Sequence, residues 1–203
     1  MSLFYRLTHW AGFKPWEKMA VLPISEQISA LFDREESECQ PPYGLALDLG
    51  CGSGIWSVKL AARGWDVTGV DIVPSALRIA HERARKAGVK VRFIHGDVTA
   101  LRDVGQGFRF VLDFGAIHGL TPAQREAVGR EVSEVAAANA TLLILAWSPG
   151  RRGPLPHGLS RQDIQAAFPA WTIIDEEAAN MSGAPGFVRR TKPRFFRLRR
   201  DCI

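Results

Sequence analysis

Four aspartates stand where predicted strands end: Asp48 in ALDLGCGSG, Asp71 in VTGVDI, Asp97 in FIHGDV and Asp113 in FVLDFG. After the first comes a glycine turn, Gly50-Cys-Gly52-Ser-Gly54, which opens a helix and suits a nucleotide-like ligand. A dinucleotide fingerprint reads G-x-G-x-x-G and sets a pyrophosphate on the helix N-terminus. Here the spacing is G-x-G-x-G, and Ile55 takes the place of the third fingerprint glycine. Asp48 would repel a pyrophosphate but attract a cationic amino-acid group. Asp71, 19 residues after Gly52, suits hydrogen bonds from both hydroxyls of a ribose and disfavours a 2′-phosphate. Asp97 can accept from an exocyclic adenine amine. Amine, ribose and adenine in that order describe an adenosyl sulfonium, S-adenosyl-L-methionine, whose demethylated product is S-adenosyl-L-homocysteine.

The elements that must position these residues alternate from residue 45 onward. Leu45–Leu49 is an apolar run ending at the glycine turn, as expected of a buried parallel strand. A helix over 55–63, a strand over 67–70 and a helix from Pro74 to a terminating Gly88 follow. VRFIHGD and FRFVLDFG read as strands three and four, 122–138 as a helix, and TLLILAW as strand five. After the Pro/Gly/Arg loop 148–158, Ser160 caps a short helix to Phe168, WTIIDEE gives strand six and FFRLRR strand seven. The expected fold is α/β: a Rossmann-like, doubly wound seven-stranded sheet, mostly parallel with an antiparallel C-terminal strand, with helices on both faces.

The chain resembles the class I S-adenosylmethionine-dependent methyltransferases. ALDLGCGSG looks like that family's first motif, VTGVDIVPSAL its second and FIHGDVTAL its third, with FRFVLDFGAIHGL at the position of its fourth. The short length, the aromatic leader and the DFGAIHGL stretch are similar to a small-molecule branch that includes thiopurine and tellurite-resistance-type enzymes. The resemblance implies that Asp48, Gly50, Cys51 and Gly52 contact the methionine part of the cofactor. Asp71 and Ile72 would hold ribose and adenine, Asp97 and Val98 the adenine, and Asp113 and Phe114 the floor where methyl and substrate meet. It further implies a small-molecule acceptor methylated on O, N or S. The thiol of Cys51 itself reads as a small apolar filler, because no base stands beside it in sequence. Gly54 has an alternative use in helix–strand packing, and Asp113 in capping a turn.

Methyl transfer from a sulfonium needs positioning and, for some acceptors, removal of a proton. His118, in the loop after strand four, is the candidate base, and His157 in the 148–158 loop a weaker substrate contact. Residues 1–40 precede the first strand and read as helical, with an aromatic leader that includes Trp10 and Trp16. One use is a lid, with Trp16 against the sulfonium and Trp10 against the acceptor; the other is packing on the sheet. A single domain over 1–203 is expected, with this leader, a cofactor core over 44–147 and an acceptor-side loop and hairpin over 148–203. Asp71, at a strand end, is expected to be replaceable without harm to folding.

Composition bounds the rest. The chain has 203 residues, 46% hydrophobic and 23% charged, ordinary for a globular protein. The three cysteines lack metal-type spacing, no histidine pair has helical metal spacing, and the start has no apolar signal region. These features point to the cytoplasm, no metal, no membrane span, and a monomer or homodimer. The net charge of +5 is local. Seven of 26 basic residues fall in RRTKPRFFRLRR (189–200), and the other 19 face 21 acids. An edge strand protected by charge is the first reading of that tail. A nucleic-acid methyltransferase using it is an alternative, as is a cofactor-binding protein without catalysis.

Overall fold

The computed structural model describes residues 23–150 and 157–201. The leader with Trp10 and Trp16 lies outside the described residues. The elements are α1 (Ile24–Ser37), β1 (Leu45–Leu49), α2 (Ile55–Ala62), β2 (Asp66–Asp71), α3 (Pro74–Ala87), β3 (Arg92–His95), β4 (Phe108–Asp113), α4 (Pro122–Val135), β5 (Ala136–Ala146), α5 (Arg161–Ala167), β6 (Trp171–Ala178), α6 (Gly186–Arg189) and β7 (Arg194–Arg200). The seven strands form one sheet in the order β3-β2-β1-β4-β5-β7-β6. Strands β1 to β5 pair in parallel, and β7 is antiparallel to both β5 and β6. The Rossmann-like architecture read from the alternation is therefore present. Its strand order reverses beside β1, between β2 and β4, where open α/β sheets hold their ligands.

Strand alternation splits the interior into two apolar layers. Leu47, Leu49, Val111, Leu142 and Ile144 face one cluster, with Val128 and Val132 of α4 and Ile164 of α5. Ala46, Phe110, Leu112, Leu143 and Leu145 face the other, with Ile24 and Ile28 of α1 and Ile55 and Leu60 of α2. Successive side chains of an extended strand point to opposite faces, so each buried strand must be apolar throughout. Helix α1 buries Ile24, Ile28, Leu31, Phe32 and Glu35, one helical stripe, and sets Phe32 edge-on to Phe110 at 5.9 Å.

Three expectations need correction. Helix α4 ends at Val135, not at 138, and β5 begins at the next residue. The pairing jumps from Phe108↔Ala136 to Phe110↔Thr141, so the intervening residues bulge, with Asn139 in the left-handed region at φ +58°. The short helix α6 has no counterpart in the pattern read from sequence. The tail is also no edge strand: β7 lies inside the sheet, and β6 takes the edge. The charged edge is thus IIDEE of β6, whose Asp175 pairs with Arg34 and whose Glu176 pairs with Arg161 and Arg194.

An interior strand rich in arginine requires partners, because an unpaired buried charge is costly. Arg197 is 5% exposed and pairs with Glu35 of α1, itself 7% exposed, and with Glu38 at 2.6 Å. Arg199 reaches the same Glu38 at 2.6 Å. These pairs fasten α1 across the sheet, and Arg63 adds Asp33 and Glu36. Arg197→Met, which leaves Glu35 buried without its cation, is expected to cost about 3 kcal/mol of stability. The double variant Glu35→Met/Arg197→Met should lose much less, as compared by urea unfolding midpoints.

Candidate active site

The loop after β1 adopts left-handed backbone at alternate positions, with φ +63° at Gly50, +53° at Gly52 and +73° at Gly54. Glycine takes these conformations without the steric cost that other residues meet. Gly54 is doubly required: a Cβ there would lie 2.8 Å from Ala80 Cβ and 2.9 Å from Phe93 Cζ, so α3 and β3 press directly on the turn. At Gly50 a Cβ would lie 2.7 Å from Ala116 Cβ, which brings the loop after β4 against the same turn. Cys51 is buried, its N–H donating to the Val70 carbonyl at 3.0 Å. Burial, with Asp48 and Asp71 nearby, pushes its thiol well above the ordinary range, so it packs and does not react.

Asp71 ends β2, 2% exposed, and works on the turn itself. One carboxylate oxygen accepts from Gly52 N–H and the other from Val73 N–H, each at 2.8 Å. The expectation that this residue is dispensable for folding is therefore corrected, since its loss strands two backbone donors. Asp48 is 3% exposed and accepts from the Ser57 hydroxyl at 2.5 Å. Burial raises its pKa to about 7, with the Asp71 charge adding to the rise and the Ser57 bond opposing it. Asp113 is fully buried and accepts from the N–H groups of Gly115, Ala116 and Ile117 at 3.0–3.4 Å. It caps the 3-10 turn Ile117–Gly119, the alternative raised from sequence, and burial lifts its pKa to about 7 against those three bonds.

The remaining candidates line the same edge. Ile72 follows Asp71, and its carbonyl lies 3.1 Å from Nε2 of His95. Asp97, exposed at the end of the β3 segment, accepts from the N–H and hydroxyl of Thr99 at 2.9 and 2.8 Å. Val98 beside it is partly buried against the core. Phe114 packs edge-on between Trp56 at 5.5 Å and Phe195 at 5.9 Å. His118 stacks on Trp147, the residue after β5, with ring centroids 4.9 Å apart and planes 23° from parallel. The backbone of His157 closes the neck of its loop, its carbonyl accepting from Gly150 N–H at 2.9 Å, and the residue is exposed.

Order along the edge follows the strand order: Asp97, then Asp71 and Ile72, then Asp48 with the glycine turn, then Phe114, then His118 with Trp147. Three contributors carried no sequence signal of their own. Ser57 bonds Asp48 from the first turn of α2. Arg83, far along α3, donates through Nε to the Ser53 carbonyl at 2.9 Å and braces the turn. Trp147 looked like the end of a strand, and only the fold lays it against His118. Among the described residues, no group of three or more His, Cys, Asp or Glu is arranged to hold a metal ion.

Residues 46–139 match the family model described as a methyltransferase domain. Over that stretch the chain is similar to methyltransferase domains. A curated relative, the ubiquinone biosynthesis O-methyltransferase of Cereibacter sphaeroides, is 35% identical over 109 residues, 52% of this chain and 44% of its own length. The chain thus spans less than half the length of the first curated relatives it matches. The 2-heptyl-1-hydroxyquinolin-4(1H)-one methyltransferase of Mycobacteroides abscessus is 26% identical over 165 residues, 78% of this chain and 73% of that one. Two solved structures share this fold. One is the 1,6-didemethyltoxoflavin-N1-methyltransferase of Burkholderia thailandensis, with TM-score 0.73 and 20% identity, covering 98% of this chain and 86% of that one. The other is TehB from Haemophilus influenzae, with TM-score 0.60 and 18% identity, covering 78% and 57%.

The two raised acids give a pH signature with a definite sign. Between their ordinary value of 3.8 and about 7, the folded state holds protons that the unfolded chain has released. Stability of the ligand-free protein should therefore fall as pH rises through that window and level off above it. Asp48→Asn should flatten the slope and raise stability at pH 8, read by urea unfolding across pH 4–9.

Proposed function

We propose that this protein binds S-adenosyl-L-methionine at the carboxyl edge of β1–β4 and transfers its methyl group to an O, N or S atom of a small-molecule acceptor. The observation that carries this reading is the conjunction of the glycine turn with Asp48 and Asp71. A glycine-rich turn lies against two buried carboxylates, and those acceptors match a cationic, hydroxylated ligand rather than a pyrophosphate. When bound, the cofactor would supply a methyl group on a sulfonium, a good leaving group. The family match over residues 46–139 supports the same assignment. We further propose that it acts in the cytoplasm, as a monomer or homodimer. No helix among the described residues is long and apolar enough to cross a membrane.

In this reading the chain's own residues position and exclude water. Asp48 offers its carboxylate to the cationic methionine end, and Asp71, already tied to the turn, has further lone pairs for ribose hydroxyls. Asp97 and Ile72 flank the adenine end. Phe114, held between Trp56 and Phe195, forms the apolar floor beneath the methyl, where a dry environment strengthens electrostatic contacts. His118, held parallel to the Trp147 ring, stands on the acceptor side and takes the proton from acceptors that must lose one. The relatives named as a ubiquinone biosynthesis O-methyltransferase and a 2-heptyl-1-hydroxyquinolin-4(1H)-one methyltransferase support a small-molecule acceptor, with oxygen among its candidate atoms. Gln27, near the start of α1, bonds Ala178 at the end of β6 and Asn180 just past it. The leader's use as a lid over the acceptor is part of the same proposal.

Asp71→Ala should weaken cofactor binding by about 2–4 kcal/mol in calorimetry. It should also lower the unfolding midpoint, because Gly52 and Val73 lose their acceptor. His118→Ala should leave cofactor affinity near normal while turnover falls, more for phenols than for acceptors already ionised as thiolates. A methyl-transfer screen over phenols, thiols, amines and heterocycles, read by mass spectrometry, tests the whole reading; unchanged cofactor affinity in the Asp71 variant would sink it.

A further inference from the structure

The connection from β6 to β7, residues 179–193, crosses the same edge of the sheet beside the acceptor side. It ends at Arg194, which pairs both with Ala178 of β6 and with Ala146, the last residue of β5. Ser148 fastens it to the loop after β5: its N–H donates to the Thr191 carbonyl at 3.0 Å and its hydroxyl to the Lys192 carbonyl at 2.5 Å. Ser148 directly follows Trp147, the ring that stacks on His118. On the inner side Met181, Ala184 and Val188 join the apolar cluster that contains Phe114. On the outer side Phe187 is 50% exposed, and Arg189, Arg190 and Lys192 are exposed as well.

Two properties set this connection apart. It contains three basic residues and no acid, whereas Arg194, Arg197 and Arg199 of β7 meet carboxylates within the chain. Lys192 also sits at φ +45°, a left-handed conformation that is costly for a residue with a long side chain. Such strain persists only where the surroundings enforce it, and here the bonds from Ser148 on either side of Lys192 do so. Charge is therefore divided along the edge, with aspartates from β3 to β4 and bases beyond β5.

We propose that Arg189, Arg190 and Lys192 form a recognition rim for an oxyanion group, carboxylate or phosphate, on an aromatic acceptor, with Phe187 against its apolar body. The inference rests on the methyl-transfer reading and deepens it by naming the acceptor's charge. Guanidinium groups match the two oxygens of a carboxylate or phosphate, and an exposed basic rim draws an anion toward the site at low salt. The acids on the cofactor side repel the same anion, so the charge pattern also orients the acceptor with its oxyanion outward.

The test uses the full chain loaded with S-adenosylhomocysteine and three probes: 4-hydroxybenzoate, 4-hydroxyphenyl phosphate and neutral 4-hydroxybenzamide. Calorimetry should show one anionic probe binding about tenfold more tightly than the amide at low salt, with the gap narrowing at 0.2 M salt, about a Debye length of 7–8 Å. Arg189→Gln/Arg190→Gln/Lys192→Gln should reduce that gap to about twofold or less while affinity for S-adenosylhomocysteine stays unchanged. Equal binding of the amide, no binding of any probe, or a gap that survives the triple variant overturns the rim. Single-stranded RNA bound more tightly than either anionic probe, and released by the same variant, overturns it in favour of a nucleic-acid acceptor. Failure of the unmodified chain to bind S-adenosylhomocysteine would instead overturn the methyl-transfer reading, and the rim with it.

Discussion

The carboxylate of Asp71 holds two backbone N–H groups at once, that of Gly52 in the turn after β1 and that of Val73 leaving β2. A turn with three left-handed glycines has little local preference for one shape, because glycine pays the most conformational entropy on ordering. A buried anion on the adjacent strand supplies the missing restraint through charge-assisted bonds. The placement of α2 follows, since Gly54 stands at its start. The close packing of Ala80 and Phe93 on Gly54, and the reach of Arg83 to Ser53, depend on the same geometry. One side chain thus orders both the turn and the strand end beside it, and a substitution there is felt in both.

Asp48 and Asp113 show how similar burial leads to different work. Both lose hydration and both are raised to about 7, with hydroxyl or backbone donors only partly offsetting that cost. The oxygens of Asp113 are taken up by the turn that carries His118. Asp48 has a single hydroxyl partner named in Ser57 and faces the glycine turn, where a cation would settle its charge. The two apolar layers on the faces of the sheet supply the stability against which such buried acids are tolerated. Destabilised groups concentrated at one edge, and a well-packed interior elsewhere, are what a binding site built on a rigid sheet requires.

The basic tail divides by topology. From Arg194 onward its arginines lie in an interior strand: Arg194, Arg197 and Arg199 are met by Glu176, Glu35 and Glu38, the last two brought by α1 from the far end of the sequence, and Arg200 donates to the Ala136 carbonyl. Before Arg194 the basic residues lie on the connection at the ligand edge. Net charge along the chain therefore says little about partners here, because half of the cluster is internal electrostatics and the other half is a surface beside the site.

The sequence alone determined the parallel core and the row of acids and glycines at its carboxyl edge. Buried parallel strands must be apolar on both faces, so Leu45–Leu49, FRFVLD and TLLILA announce themselves, and glycines with acids at strand ends leave a compositional mark. Helix α3 was equally legible, with Pro74 at its start and Gly88 at its end. What the tertiary structure decided was everything that depends on a neighbour distant in sequence. Nothing in FFRLRR shows that the strand inserts between β5 and β6, because the carboxylates that allow it stand some 160 residues away. The partnering of Ser57, Arg83 and Trp147 with the site, and the end of α4 at Val135, were hidden for the same reason. Local pattern encodes burial and period, whereas ion pairs, ring stacking and register are settled by which elements meet, and only the folded sheet brings them together.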